Sequence, residues 1–223
     1  MNLINQINKL RKNEIKQVMK KRLQEFESFK NKKNNDWFSE LCFCILTANS
    51  RAKTAINIQN ELKSGGFINK NKKELSQTIK NNKHRFHNNK AKYIICSREH
   101  MDIKDKLKNF SEFNAREWLV KSIKGLGYKE ASHFLRNTGA KNLAILDRHI
   151  LNLMIENNLI NEKPKILNKK NYLEIERKFN ELAEQLNMNP AELDLYMWYM
   201  KTGEVLRLCV KKNSKFYLVC NFL

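Results

Sequence analysis

The chain of 223 residues carries 43 Lys plus Arg against 23 Asp plus Glu, a formal net charge of +20. With 41% hydrophobic residues and aromatic side chains spread along its length, it is not an intrinsically disordered chain, and it has enough apolar surface for one core or two small ones. The longest apolar run, residues 41–48, is far short of the roughly 20 residues a spanning helix needs, and the polar first segment has no signal-peptide character. A soluble cytoplasmic protein is therefore expected, one drawn by its charge to a polyanion.

Six Gly and two Pro punctuate the sequence, and the apolar spacing between them is helical, so an all-α fold is predicted. Leu3, Ile7, Leu10, Ile15, Val18, Met19, Leu23, Phe26 and Phe29 form one stripe at i, i+3 and i+4 spacing. A second helix is predicted to open near Asp36, a good N-cap, and through Trp37, Phe38, Leu41, Cys42, Ile45 and Leu46 to be the most buried element. A third runs over 52–62 and stops at Gly65-Gly66 in the left-handed conformation. Shorter helices follow at 72–80, 88–101 and 112–122. A turn at Gly125-Leu126-Gly127 then separates Trp118, Leu119 and Ile123 from Ala131, Phe134 and Leu135. After Gly139 a loop leads to Asp147, the predicted cap of a helix through Ile150, Leu151 and Ile155. Two last helices are expected over 171–187 and 190–201, with Pro190 at a helix start.

Charge is unevenly placed. Residues 63–92 hold nine Lys or Arg against one acid, Glu74, whereas residues 161–204 hold seven bases against eight acids. A lysine-rich coding bias would spread the charge evenly; the contrast favours one basic face that meets nucleic acid. The five cysteines, at 42, 44, 96, 209 and 220, show neither zinc spacing nor a paired framework and read as reduced thiols.

The hairpin carries the chemistry. Glycines 125 and 127 allow a turn that leaves backbone N–H groups free at the start of the next helix, and with the positive helix end they make a phosphate site, next to Lys124. Lys129 falls in that helix's first turn, where the helix end and Lys124 disfavour its ammonium form. A neutral amine there is a nucleophile able to form a Schiff base with a sugar C1′. Asp147, at another helix start, stays ionised and is placed to take a proton or to stabilise a cationic transition state. Taken singly, a surface lysine and a capping aspartate are the plainer readings.

The run 123–150, IKGLGYKEASHFLRNTGAKNLAILDRHI, resembles the helix-hairpin-helix and catalytic-aspartate module of the base-excision DNA glycosylases. With LCFCILTANS upstream and ELDLYMWYMKTG downstream, residues 1–207 resemble the archaeal-type (type-2) 8-oxoguanine DNA glycosylase/AP lyase family. The resemblance implies a helix-hairpin-helix glycosylase fold in which two helical subdomains flank the active-site cleft. Its core would be 1–207, with the hairpin module at 112–150, and 208–223 would be an extension of unassigned structure.

It also implies a bifunctional enzyme. Such an enzyme flips 8-oxoguanine from double-stranded DNA, cleaves the N-glycosidic bond through a Schiff base on Lys129 with help from Asp147, and nicks the strand by β-elimination. Phe86 and Trp198 would stack on the flipped base. Asp194, one turn before Trp198, would reach an exocyclic amine. Asn49 would fill the gap in the duplex and Arg85 would contact backbone or orphan base, while Lys124, Gly125 and Gly127 hold the strand. Arg207 stands where the family usually ends in a Lys that helps reject guanine. Because the chain continues past it, that terminal carboxylate is not expected there. No metal site and no cofactor are implied. An iron–sulfur cluster is not expected, because only Cys209 and Cys220 follow the last helix. A monomer is expected. The alternatives are a non-catalytic helix-hairpin-helix DNA-binding module, and a glycosylase for another oxidised base.

Overall fold

The computed structural model describes residues 2–206, so Arg207 and the 208–223 extension lie outside the described residues. The described residues form twelve α-helices, one 3₁₀ turn (98–100) and no strand: α1 (Leu3–Arg11), α2 (Ile15–Phe29), α3 (Asn34–Thr47), α4 (Ala52–Asn69), α5 (Lys72–Asn81), α6 (His87–Ser97), α7 (Ile103–Leu107), α8 (Glu112–Ser122), α9 (Tyr128–Asn137), α10 (Arg148–Glu156), α11 (Lys169–Gln185) and α12 (Pro190–Thr202). They divide into two compact units. One is Ser28–Ala140; the other joins Met1–Glu27 to the segment that begins at Lys141. Lys129 belongs to the first and Asp147 to the second.

In the unit of residues 28–140, α3 is the buried centre. Every residue from Trp37 to Thr47 is buried, the polar Ser39, Glu40 and Thr47 among them. Phe38, Leu41, Cys42, Ile45 and Leu46 have no exposed surface, and each fully buried Leu, Ile or Phe side chain contributes about 1.5–3 kcal/mol. Helices α4, α6, α7 and α9 pack around it, and the Trp37 ring meets Phe134 edge-on at 5.9 Å. One polar network is sealed inside: Asn137 Nδ2 donates to Glu40 Oε1 at 2.6 Å.

In the other unit, α1, α10 and α11 pack on α12. Tyr172, Phe179 and Tyr196 are fully buried there. The extended segment before α10 is tied to α11: the Tyr172 hydroxyl donates to the Ala144 carbonyl at 2.7 Å, and Glu176 accepts the Ala144 N–H at 3.0 Å.

The predicted starts of α8, α10 and α12 agree with the structure, where Ser111, Asp147 and Asn189 accept backbone N–H groups as caps. Four expectations need correction. The first stripe is two helices, broken at 12–14. Asp36 is not the cap of α3 but its third residue, and its carboxylate reaches back to the Lys33 N–H at 3.2 Å. The stop after Leu62 is made by Lys63, at φ 50° and ψ −172°, rather than by Gly65-Gly66. The helix resumes through the glycines, where a Cβ on Gly66 would lie 3.0 Å from the Leu62 side chain, so close approach, not left-handed geometry, calls for glycine there. Finally, the helix predicted over 88–101 ends at Ser97 and continues as the 3₁₀ turn, and the short α7 has no counterpart in the prediction.

Candidate active site and nucleic-acid interface

The hairpin between α8 and α9 is built as its sequence suggests. Ile123 and Leu126 are buried anchors, 2% and 6% exposed, and the Leu126 N–H closes the turn on the Ile123 carbonyl at 3.2 Å. The two glycines differ. Gly125 has φ +94°, and a Cβ there would run into the Tyr93 ring; it is required twice over. Gly127 is extended, and it caps α9 with its own N–H taken by Glu130 Oε2 at 3.2 Å. The expectation of a free N–H thus holds less well at Gly127, because a carboxylate three residues on already occupies it.

Lys129 lies in the first turn of α9, about one-fifth exposed. Its Nζ is 2.9 Å from Glu130 Oε1. The sequence suggests a neutral amine; in the structure that amine is paired with the Glu130 carboxylate. Lys124 is exposed. The residue nearest to what the sequence asked of Lys129 is Lys90 on α6. It is 4% exposed, and burial pulls its pKa down to about 8, with Glu130 opposing and Lys129 reinforcing the shift. Its Nζ donates to the Ile45 carbonyl at 2.6 Å.

At the C-terminal end of α3 the same unit gathers three further expected residues. Asn49 is exposed in the left-handed conformation at φ 59°, which Asn tolerates better than most residues. His84 is buried and its Nε2 meets the Leu46 carbonyl at 3.0 Å, tying the turn before α6 to the end of α3. Burial lowers the His84 pKa, with the backbone contact opposing it. The Phe86 N–H reaches His84 Nδ1 at 3.1 Å, and the exposed Arg85 lays its guanidinium 4.5 Å from the Phe86 ring centroid. Arg85 and Phe86 are therefore tied to the end of α3, the helix that leads into Asn49, by a histidine that the sequence reading passed over.

In the other unit, Asp147 Oδ1 accepts the His149 and Ile150 N–H groups at 2.8 and 2.9 Å. His149 in turn meets Trp198 edge-on, ring centroids 5.2 Å apart. Trp198 Nε1 is buried without a hydrogen-bond partner among the described residues, and Asp194, one turn earlier on α12, is 5% exposed. Asp147, Trp198 and Asp194 so lie in one neighbourhood linked by His149, whose place two residues after a capping aspartate was the available signal. Arg207 lies outside the described residues. Among those residues no three His, Cys, Asp or Glu side chains form a metal-holding group, and no helix is long and apolar enough to cross a membrane.

Residues 19–188 match the model of the family described as 8-oxoguanine DNA glycosylase. The 8-oxoguanine DNA glycosylase/AP lyase of Methanocaldococcus jannaschii is 51% identical over 93% of this chain and 100% of its own length. The protein of the same name from Korarchaeum cryptofilum is 40% identical, over 92% and 98%. Among solved structures, the M. jannaschii enzyme in complex with a 15mer DNA containing 8-oxoguanine superposes with a TM-score of 0.90, covering 92% of this chain and 99% of that one. The 8-oxoguanine DNA glycosylase of Thermotoga maritima superposes with a TM-score of 0.86 at 39% identity, covering 91% and 97%.

Proposed function

Because the chain belongs to the 8-oxoguanine DNA glycosylase family, we propose that it excises 8-oxoguanine from double-stranded DNA and nicks the resulting abasic site as a lyase. The Lys129 amine attacks C1′ of the flipped nucleotide. The N-glycosidic bond breaks, and its electron pair leaves with the base, which takes up a proton. Ring opening at O4′ yields a Schiff base between Lys129 and C1′. Loss of a C2′ proton then expels the 3′ phosphate by β-elimination, and water releases the lysine. Asp147 stabilises the positive charge that develops at the sugar and accepts a proton, a role worth about 10²–10⁴ in rate. Phe86 and Trp198 supply flat faces for the base, Asp194 an acceptor for its edge, and Asn49, Arg85, Lys124, Gly125 and Gly127 hold the strands. Arg207 is assigned to the base pocket from sequence alone. In this reading the enzyme acts as a cytoplasmic monomer without an iron–sulfur cluster.

The observation that carries the proposal is a pair of helix starts. Lys129 stands in the first turn after the glycine hairpin, and Asp147 caps α10 at the end of a segment pinned by Tyr172 and Glu176. A duplex with one 8-oxoguanine, incubated with protein and borohydride, tests it. Wild type is expected to give a covalent complex and Lys129→Gln none. If both bind the duplex and neither is trapped nor nicks it, a non-catalytic binding module or a different lesion takes the proposal's place.

A further inference from the structure

The last four carbonyls of an α-helix have no partner within it, and those of α3 all find one elsewhere in the unit of residues 28–140. Cys44 accepts the Thr47 hydroxyl at 2.8 Å, and Thr47 accepts the Ser50 N–H at 3.2 Å. The other two meet side chains from the start of α6 and the turn before it: Ile45 accepts from Lys90 Nζ at 2.6 Å, and Leu46 from His84 Nε2 at 3.0 Å. Both side chains are buried, so two ties join the end of α3 to the segment that carries Arg85 and Phe86.

His84 does more than cap a helix. The Phe86 N–H points at His84 Nδ1, 3.1 Å away, which makes that nitrogen the acceptor and places the ring proton on Nε2, facing the Leu46 carbonyl. With both nitrogens used, the imidazole is a rigid link between the Phe86 backbone and α3. Its own N–H is held by the Ile79 carbonyl at 3.2 Å, and its ring stands T-shaped to that of Phe86, centroids 6.5 Å apart. On the other side of Phe86, Ser76 of α5 gives its one hydroxyl proton to Asn88 Oδ1 at 2.7 Å and so accepts from His87 Nδ1 at 2.9 Å. A phenyl ring has no polar atom by which to be held; the half-buried ring of Phe86 takes its place from the backbone that these contacts fix.

We propose that His84 is a positioning residue for base excision: by linking the Phe86 backbone to the end of α3 through both ring nitrogens, it holds the Phe86 ring where the flipped base stacks. The proposal rests on Phe86 being a wall of the base pocket. Misplacing a reacting group by about 1 Å costs up to about 10²-fold in rate, and cutting the link at either end frees the turn that aligns the base.

The test is a double-mutant cycle on single-turnover excision from a duplex with one 8-oxoguanine, with enzyme saturating. His84→Gln puts an amide N–H near the position of Nε2, toward Leu46, but leaves the Phe86 N–H without its acceptor; Lys90 still ties α6 to Ile45. It is expected to slow excision by roughly 10–10²-fold, and the His84→Gln/Phe86→Ala double variant to be within about twofold of Phe86→Ala alone, because the link has no further ring to position. Nicking of a preformed abasic site, which has no base to stack, is expected to fall less than excision in His84→Gln. Wild-type excision by His84→Gln, losses that multiply in the double variant, or equal losses of excision and nicking overturn the proposal. Should His84→Gln lack the native circular dichroism, His84→Asn, which keeps an oxygen for the Phe86 N–H and cuts the link at Leu46 instead, decides by the same cycle. Phe86→Ala that excises as fast as wild type strikes instead at the assignment of Phe86 to the base pocket.

Discussion

Asp147 has two duties that a pair of substitutions separates. As the cap of α10 it accepts two backbone N–H groups through one oxygen, at 2.8 and 2.9 Å; as a carboxylate it carries the charge the proposed chemistry needs. Asn caps about as well as Asp, whereas Ala does not, and losing such a cap costs about 1 kcal/mol. In a domain of this size, that is about 2–4 °C in Tm. Asp147→Asn should therefore melt within about 2 °C of wild type, and Asp147→Ala several degrees lower. Both should lose about 10²–10⁴ in excision rate, because neither has the negative charge. The assays are scanning calorimetry and single-turnover cleavage of a duplex with one 8-oxoguanine. If Asp147→Asn retains activity within a few-fold, the aspartate is only a cap and its catalytic role is refuted. If both variants melt alike, the capping argument fails.

Gly125→Ala should cost at least about 1–3 kcal/mol in urea denaturation, since it combines φ +94° with a collision against Tyr93; Gly127→Ala, extended and facing only a carboxylate oxygen at 3.2 Å, should cost less than Gly125→Ala. Burial pushes the Cys42 thiol well above its usual range, while Cys96 is exposed. Iodoacetamide at pH 8 followed by peptide mapping should find Cys96 alkylated and Cys42 not, and the reverse order would contradict the packing of α3. Lys90 provides a pH signature of stability. Its pKa is about 8 in the fold against 10.5 for an ordinary lysine, so the unfolded chain binds more protons between those values and Lys90 makes the wild type more stable as pH rises through that window. Lys90→Met lacks this slope, and its Tm relative to wild type should fall between pH 7 and pH 10. A difference independent of pH would refute the burial of a titrating amine.

What could be read from the sequence was what is decided within a few residues. Ser111, Asp147 and Asn189 cap helices because a side-chain oxygen reaches an N–H two or three positions on, and that competition is local. The apolar run of α3 marks it as buried because no face of it offers a partner to water. The hairpin glycines place Lys129 in the first turn of α9 with no knowledge of the rest of the chain.

Where partners are distant in sequence, the tertiary structure decided. Lys90 looks like one more cation in a basic stretch, and only packing of α6 beside the end of α3, 45 residues away, buries it against Ile45. His84 ties the turn that carries Arg85 and Phe86 to the end of α3 through a carbonyl 38 residues back. Glu130 reads as a helix-start glutamate, yet its carboxylate is spent on both the hairpin and Lys129. The Gly65-Gly66 pair suggested a stop from local rules, but the side chain of Leu62 called for close approach there and the break fell at Lys63. Local chemistry sets where helices begin and which face is apolar. The charge environment of the Lys129 amine is set instead by which buried groups the assembled fold brings within a few ångströms, because burial strengthens their electrostatic effect and depends on the whole of the surrounding packing.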